Sequence, residues 1–203
     1  MQYRWETPRL LIRPYRLEDG DAVWRVVRRP EIYATTYAIP RNYPRARVDW
    51  WIAFVKNSRV NGTGYEFGFF EKESGRYFGN CGIINVRKDL FSGSITYFAD
   101  PDAWGLGLTT EAGEAMLRFA FDELELARVG GTCMSANPAS RRVMEKLGFS
   151  YEGTGRCELY KDGIFYDVDH LSILRPEWKR RCAEGNGFST AGDRTVESSA
   201  GRK

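Results

Sequence analysis

The first part of the chain contains one short apolar run and two longer stretches in which apolar residues recur with helical spacing. Residues 9–13 read Arg-Leu-Leu-Ile-Arg, stop at Pro14, and predict a first strand. A helix is predicted over 17–29, because one side of that stretch collects Ala22, Val23, Val26 and Val27. A second helix is predicted over 46–58, around two tryptophans and a phenylalanine.

The middle of the chain changes from the two-residue period of strands to the longer period of a helix. Glycine-containing turns separate three runs that predict an antiparallel meander over 65–70, 77–86 and 94–99. One helix face then collects Leu108, Ala112, Ala115, Met116 and Phe119. The remaining predicted elements are a strand over 129–134, a helix over 137–147, and strands over 149–157 and 164–174.

The order of these elements defines the fold class. It is β-α-α-β-β-β-α-β-α-β-β, without an internal repeat. Strands interleaved with helices predict an α+β fold with one mixed central sheet of about seven strands, flanked by four helices. The tail over 185–203 is rich in glycine, serine and threonine but almost lacks apolar residues, so we predict that it is disordered.

The composition is that of one ordinary globular domain. The chain has 203 residues, of which 42% are apolar and 28% charged. Its net charge of +3 is too small to indicate a nucleic-acid partner, although it suits an anionic small ligand held by a few local donors. No apolar run approaches the ~20 residues of a membrane span, and the start of the chain lacks the pattern of a signal peptide. We therefore expect no membrane partner.

The cysteines stand singly along the chain, at Cys81, Cys133, Cys157 and Cys182. They form no CxxC pair, and His170 is the only histidine that could join them, so we expect no metal site. Scattered cysteines without an export signal indicate reduced thiols and hence a cytoplasmic protein. His170 lies in the last predicted strand and is interpreted as a structural residue.

A glycine-bearing turn joins the meander to the next helix and reads Trp-Gly-Leu-Gly-Leu-Thr-Thr-Glu-Ala over 104–112. The first turn of a helix leaves N–H groups unbonded at the positive end of its dipole, and glycines at 105 and 107 let the backbone approach a phosphate closely. The turn therefore predicts an anion site, with a plain tight turn as the competing interpretation. Two other phosphate loops are excluded, because GxxxxGK[ST] is absent and GxGxxG is broken at Thr110.

Four motifs follow one another along the chain. They are the opening from Thr7 to Pro14, the loop over 104–112, the segment from Asn137 to Phe149, and Tyr160-Lys161-Asp162-Gly163 followed by Asp167. In this order they resemble T-x-R-L-x-L-R-P, W-G-x-G-Y-A-T-E-A, N-x-x-S-x-x-V-x-E-K-L-G-F and the closing hairpin of the GNAT N-acetyltransferases. The resemblance is closest to the ribosomal-protein N-terminal acetyltransferases of the RimJ/RimL type, with Leu108-Thr109 in place of Tyr-Ala. It spans residues 7–178, which we take as the domain.

The resemblance implies acetyl-CoA as the co-substrate. In this family the fourth and fifth strands splay apart, and the freed backbone binds the pantetheine arm and stabilises the oxyanion. Two backbone sets are implied: the N–H groups of Leu106, Gly107, Leu108 and Thr109 for the diphosphate, and Tyr97, Phe98 and Ala99 for the pantetheine. Asn137 and Ser140 map onto a CoA-contacting pair, and Arg142 or its neighbour Arg141 onto a 3′-phosphate contact. The competing interpretations are a helix cap for Asn137, a solvated side chain for Ser140 and a surface charge for the arginines.

The resemblance also implies that an acceptor amine attacks the thioester directly, without an acyl-enzyme. Ser140 would pass a proton to the leaving thiolate, which needs only modest help because a thiol pKa lies near ~8.5. Glu66 or Asp100 would act as the base, and Tyr160 would cover the acceptor. The alternatives are a solvated or structural role for each carboxylate, and cross-strand packing for Tyr160.

The lack of an obvious strong base favours a weakly basic acceptor. A lysine amine costs about 3 kcal/mol more to deprotonate than an α-amine at neutral pH. We therefore expect a protein N-terminal α-amine, ribosomal by resemblance. The alternative within the enzyme class is a small-molecule amine: an amino-acid derivative, a polyamine or an aminoglycoside. Six arginines within 25–47, against only Glu31 and Asp49 at its edges, count against a polycationic acceptor.

Two classes other than enzymes remain open. A non-catalytic CoA-binding module would keep the phosphate loop, but the intact Asn137 and Ser140 pair argues against it. An RNA-binding protein would use the arginines and tyrosines of 25–47, but the small net charge places it last. We expect a monomer or a homodimer.

Overall fold

A computed structural model of the chain describes residues 3–185. Within them, eight strands form one sheet: β1 (Trp5–Glu6), β2 (Leu10–Arg13), β3 (Tyr65–Glu71), β4 (Tyr77–Arg87), β5 (Ser92–Ala99), β6 (Arg128–Met134), β7 (Ser150–Lys161) and β8 (Ile164–Leu174). The α-helices of this range are α1 (Gly20–Val27), α2 (Pro30–Thr35), α3 (Arg45–Asn61), α4 (Leu108–Arg118), α5 (Pro138–Lys146) and α6 (Arg175–Ala183). The tail predicted to be disordered lies, apart from Gly185, outside the described residues.

The sheet separates two apolar clusters. The strands run in the order β1-β2-β3-β4-β5-β6-β8-β7, and all neighbours are antiparallel except β5 and β6. The main core joins α4 to one face, with fully buried Phe67, Met116 and Phe119. A second cluster joins α1 and α3 to the other face through Phe70 and Tyr77. The two-residue period of β3 divides its phenylalanines between the two clusters.

The predicted α+β fold is confirmed, with one strand and two helices more than the sequence analysis gave. The additional strand β1 has two residues, too few for a periodic signal. Helix α2 has six residues and starts at Pro30, which serves as its first residue rather than as a break. Helix α6 follows β8 without a separating turn. No helix in the described part of the chain is long and apolar enough to cross a membrane.

The sheet is split between β5 and β6. Strands β5 and β6 pair only from Ser92↔Arg128 to Ser94↔Gly130, and then diverge. These are the fourth and fifth strands of the sequence analysis, which did not count β1. Beyond the split, β6 continues its pairing with β8 as far as Met134↔Val168, so the opening is confined to one side of β6.

Candidate active site

The last residues of β5 turn alternate backbone groups toward the split. The N–H of Asp100 donates to the carbonyl of Phe78 in β4, at 2.6 Å. Because hydrogen-bonded and non-hydrogen-bonded positions alternate along an antiparallel pair, Phe98 also directs its backbone to β4. Tyr97 and Ala99 then direct theirs to the split. This corrects the sequence analysis for Phe98, whose backbone is committed to the sheet and whose side chain lines the cleft instead.

The glycine-bearing turn presents a run of N–H groups without acceptors. Gly105 and Gly107 both have φ of +77°, a conformation that only glycine adopts easily. The first hydrogen bond of α4 runs from Glu111 N–H to the Gly107 carbonyl, at 3.1 Å. Among residues 3–185, no N–H from Gly105 to Thr110 has a protein acceptor. The site therefore fits a diphosphate, which supplies acceptors and the negative charge favoured at a helix N-terminus.

A buried carboxylate ties this turn to the start of the chain. Glu111 in α4 is 2% exposed. Its Oε1 accepts from Thr7 Oγ1 at 2.5 Å and from the Arg9 N–H at 2.9 Å, and its Oε2 accepts from Arg9 Nε at 2.7 Å. Arg9 Nη1 donates to the Leu106 carbonyl at 2.8 Å. Two motifs about a hundred residues apart in sequence therefore form one structure.

The first turn of α5 faces β5 across the split. Asn137 Oδ1 accepts from the Ser140 N–H at 3.1 Å, and its Nδ2 donates to the Thr35 carbonyl at 3.2 Å. The Tyr97 hydroxyl lies 3.0 Å from both the carbonyl and the Oγ of Ser140. Burial raises the pKa of Tyr97 above its usual value, so the phenol stays protonated at neutral pH. Asn137 is thus a helix cap, and Ser140 belongs to a partly buried hydroxyl pair.

A cavity of about 440 Å³ passes from the α1 and α3 side of the sheet to α5. Its walls include Glu66, Phe98, Cys133 and Ser140. Burial raises the pKa of Cys133 to about 11, so this thiol is protonated at neutral pH and is a poor nucleophile. The cavity therefore joins the predicted acceptor side to the predicted thioester side without an activated cysteine between them.

Glu66 is held at the cavity by buried polar groups. Asn80 Nδ2 donates to Glu66 Oε2 at 2.8 Å, and the Tyr15 hydroxyl donates to Asn80 Oδ1, also at 2.8 Å. The Tyr77 hydroxyl lies 3.2 Å from that of Tyr15. Burial raises the pKa of Glu66, and the hydrogen bond from Asn80 opposes that increase. A carboxylate with a raised pKa, facing a cavity, suits a proton acceptor at neutral pH.

Comparison with known protein families shows which family the chain belongs to. The model of the acetyltransferase (GNAT) domain matches residues 9–150 of the chain. The chain belongs to the GNAT acetyltransferase family. It is therefore an acyltransferase, and acetyl-CoA is the co-substrate of GNAT enzymes.

Curated relatives of this GNAT protein carry acetyltransferase names. Probable N-acetyltransferase YjcK of Bacillus subtilis is 36% identical over 114 residues, which cover 56% of this chain and 63% of YjcK. The [ribosomal protein uS5]-alanine N-acetyltransferase of Escherichia coli is 24% identical over 128 residues, or 63% of this chain and 66% of that enzyme. These two matches each span less than two thirds of the relative's length.

A solved structure agrees with the GNAT fold. A crystal structure of a probable acetyltransferase superposes with a TM-score of 0.78 at 24% identity. It covers 87% of this chain and 99% of its own chain. At this identity the likeness concerns the fold alone.

Two residues predicted for the GNAT site lie elsewhere. Tyr160 is 63% exposed and packs at a tilt against Phe165, its register partner in β8, at 4.8 Å between ring centroids. It does not line the cavity, so the packing alternative describes it better. Asp100 accepts from the Asp102 N–H at 3.2 Å and from Arg76 at 3.2 Å. It caps the short turn before the glycine loop and is a structural residue.

The other charged residues near α5 differ in whether they form ion pairs. Arg141 is paired with Glu145 at 2.9 Å and with Asp169 at 3.1 Å. Arg142 is exposed and forms no ion pair with the described residues. His170 Nε2 lies 2.7 Å from Glu158 Oε2, which agrees with a structural role.

The arginine-rich wall over 25–47 is occupied by internal contacts. Arg29 pairs with Glu31 and Asp102, and Arg45 pairs with Asp21 and Asp49. Three guanidinium groups lie over aromatic rings: Arg28 over Trp24, Arg41 over Tyr33 and Arg47 over Tyr43. These arginines are thus engaged in ion pairs and aromatic contacts within the protein, so this wall is a packed side of the cleft.

Sequence reasoning missed the residues that support the site. Arg9 and Glu111 stand inside quoted motifs, but nothing in the sequence shows that they meet. Asn80 offered a weak signal, a polar residue within the apolar first part of its strand, residues 77–84. Tyr15 gave none, because its contact with Asn80 depends on the folded sheet.

Proposed function

We propose that this enzyme transfers the acetyl group of acetyl-CoA to a protein N-terminal α-amine. The observation that carries the proposal is the run of unpartnered N–H groups from Gly105 to Thr110, next to a split in the sheet. A cavity leads from that split to a single carboxylate, Glu66. Together these provide a place for a diphosphate, a thioester and an amine.

The cofactor side uses backbone groups more than side chains. The N–H groups of Leu106, Gly107, Leu108 and Thr109 bind the diphosphate in this proposal. Tyr97 and Ala99 direct backbone groups at the pantetheine arm, while the Ala99 carbonyl is already held by Trp104 Nε1 at 2.8 Å. Asn137 orients the first turn of α5, and Arg142 meets the 3′-phosphate.

Proton transfer is divided between two sides of the cavity. Acetyl-CoA, when bound, supplies an acetyl thioester that an amine attacks directly. Glu66 accepts the proton that the attacking amine loses, as its raised pKa allows. Ser140, hydrogen-bonded to Tyr97, relays a proton from solvent to the sulfur as the carbon–sulfur bond breaks, and Glu66 returns its proton to solvent. Burial raises the pKa of Cys133 in the cavity wall, which makes this thiol a poor nucleophile and agrees with direct attack by the amine.

The acceptor is argued from the cavity lining. Glu66 and Arg47 are the only charged lining residues in the described chain, and aromatic rings make up much of the wall. A polyamine or an aminoglycoside would need several carboxylates to balance its charges. An α-amine needs one proton acceptor, and about a tenth of it is already neutral at pH 7. The distant similarity to a ribosomal-protein alanine acetyltransferase supports the same class.

We also propose the extent, location and assembly state of the enzyme. We assign the domain to residues 7–178, the location to the cytoplasm and the assembly state to a monomer or homodimer. A small-molecule amine remains the alternative acceptor, since the cavity volume of about 440 Å³ also accommodates one.

The test is transfer of isotopically labelled acetyl from acetyl-CoA, followed by mass spectrometry of ribosomal proteins, other cell proteins and metabolites. We expect label on protein N-termini and thiol release with peptides that carry a free α-amine. Matched peptides with a blocked N-terminus and a free lysine serve as the control. Label confined to metabolites or to lysine side chains would contradict the proposed acceptor.

A further inference from the structure

Arg9 contacts the glycine-bearing turn through a hydrogen bond to a backbone carbonyl and not through an ion pair. Its Nη1 donates to the Leu106 carbonyl at 2.8 Å, while Nε and Nη2 are both 2.7 Å from Glu111 Oε2. The negative charge of Glu111 therefore opposes the field that Arg9 would exert on an anion. What Arg9 adds to the loop is the orientation of one peptide unit.

That orientation determines where one N–H group points. The Leu106 carbonyl and the Gly107 N–H belong to the same planar trans peptide unit, and point in opposite directions. Because Arg9 binds the carbonyl, the Gly107 N–H is directed away from Arg9. The neighbouring donors at Leu108 and Thr109 have their directions set by helix α4 instead.

Among residues 3–185, no other hydrogen bond holds this peptide unit. Gly105 and Gly107 lie on either side of Leu106, and an added Cβ at Gly105 would meet no atom within 4 Å. The Leu106 side chain is 56% exposed. Glycines on both sides of an exposed residue permit the unit to rotate, and a rotated unit would present its carbonyl to an anion.

We propose that Arg9, held by Glu111, is a positioning residue that aims the Gly107 N–H at the diphosphate of the acetyl donor. The inference rests on the proposed function only in taking the loop as the diphosphate site. It assigns a role in cofactor binding to the start of the chain, about a hundred residues from the loop in sequence.

The test compares two donors that differ in the diphosphate. Acetyl-CoA carries it and S-acetylpantetheine does not. In Arg9→Gln we expect the KM for acetyl-CoA to rise about tenfold with kcat nearly unchanged, the loss expected for one charge-assisted hydrogen bond. The KM for S-acetylpantetheine stays the same. Arg9→Lys gives the same loss, because a lysine keeps the charge but not the fork that binds Glu111 and Leu106 together.

The control is Arg4→Gln, which removes an exposed pair with Glu6 at 2.8 Å in the same segment and should change neither KM. Equal losses with both donors, or none with either, would overturn the inference. So would full recovery by Arg9→Lys, since it would assign the effect to charge.

Amide resonances of the wild-type protein keep the inference testable if the Arg9 variants do not fold. With added CoA, the Gly107 N–H should shift together with those of Leu108 and Thr109, and pantetheine should leave all three in place. If CoA shifts the amide resonances of Leu108 and Thr109 but not that of Gly107, the role of Arg9 is refuted while the loop remains the diphosphate site. If CoA shifts none of the three resonances, the loop is refuted as the diphosphate site.

Discussion

Replacing Gly107 with glutamate perturbs the proposed diphosphate site at one backbone position. An added Cβ there meets no atom closer than Arg9 Nη2, at 3.7 Å, so the side chain fits. The φ of +77° still makes any residue other than glycine strained, by about 1–2 kcal/mol. Gly107→Ala measures that strain without a charge, and we expect it to weaken CoA binding less than tenfold.

The charge adds a larger effect. A carboxylate roughly 5 Å from one phosphate charge costs about 3 kcal/mol at an effective dielectric constant near 20. Gly107 is exposed, so we halve that value for solvent screening. Two diphosphate charges then cost about 3 kcal/mol together, which weakens binding more than ~100-fold. In practice Gly107→Glu should abolish measurable CoA binding.

Titration calorimetry with CoA measures the effect, at low and at high salt. High salt should recover part of the affinity of Gly107→Glu but not that of Gly107→Ala. The matched control is Gly163→Glu, which places the same residue at a φ of +83° in the β7–β8 turn with no atom within 4 Å. It should bind CoA normally. Normal binding by Gly107→Glu would refute the loop assignment.

Three further changes test the rest of the site. Ser140→Ala should lower kcat about tenfold while the affinity for CoA stays within a factor of three, because Ser140 acts on the leaving thiolate; steady-state kinetics and calorimetry separate the two. Asn80→Leu removes the donor that stabilises ionised Glu66, so its pKa rises further and the acid limb of the pH profile of kcat/KM moves to higher pH. Phe67→Ala empties a fully buried position of the main core and should cost ~3–5 kcal/mol in urea unfolding.

Exposed positions supply the controls for these changes. Ser150→Ala and Asn57→Leu should leave kinetics and pH profile as in the wild type. A loss of CoA affinity with kcat unchanged in Ser140→Ala would show that this side chain only binds the cofactor. An acid limb that stays in place or moves to lower pH in Asn80→Leu would separate Asn80 from the base. A cost under ~1 kcal/mol for Phe67→Ala would contradict the tight packing of the core.

Local signals explain what sequence reasoning predicted correctly. The helix after the glycine loop has a continuous apolar face, and α5 has a capping Asn137 followed by a proline, so both were located within a few residues. The strands of the meander were located because turns separate them. Helix α2 was missed, since its first residue Pro30 reads as a break in a sequence and as a favourable start in a helix.

Contacts between residues distant in sequence explain what sequence reasoning did not predict. The commitment of the Phe98 backbone to β4 follows from which β5 positions bond across the pair, and this depends on register. The same holds for Tyr160, whose ring partner is set by the β7–β8 register. Glu111 belongs to the loop motif over 104–112, but nothing in the sequence shows that its carboxylate is buried and binds Arg9 from the opening motif.

The most direct test of the central claim is a crystal structure of the protein with CoA. The account predicts diphosphate oxygens within hydrogen-bond distance of the amides of Leu106 to Thr109, and the sulfur in the gap between β5 and β6, near Ser140. A CoA molecule bound elsewhere, or β5 and β6 paired along their whole length around it, would contradict the account.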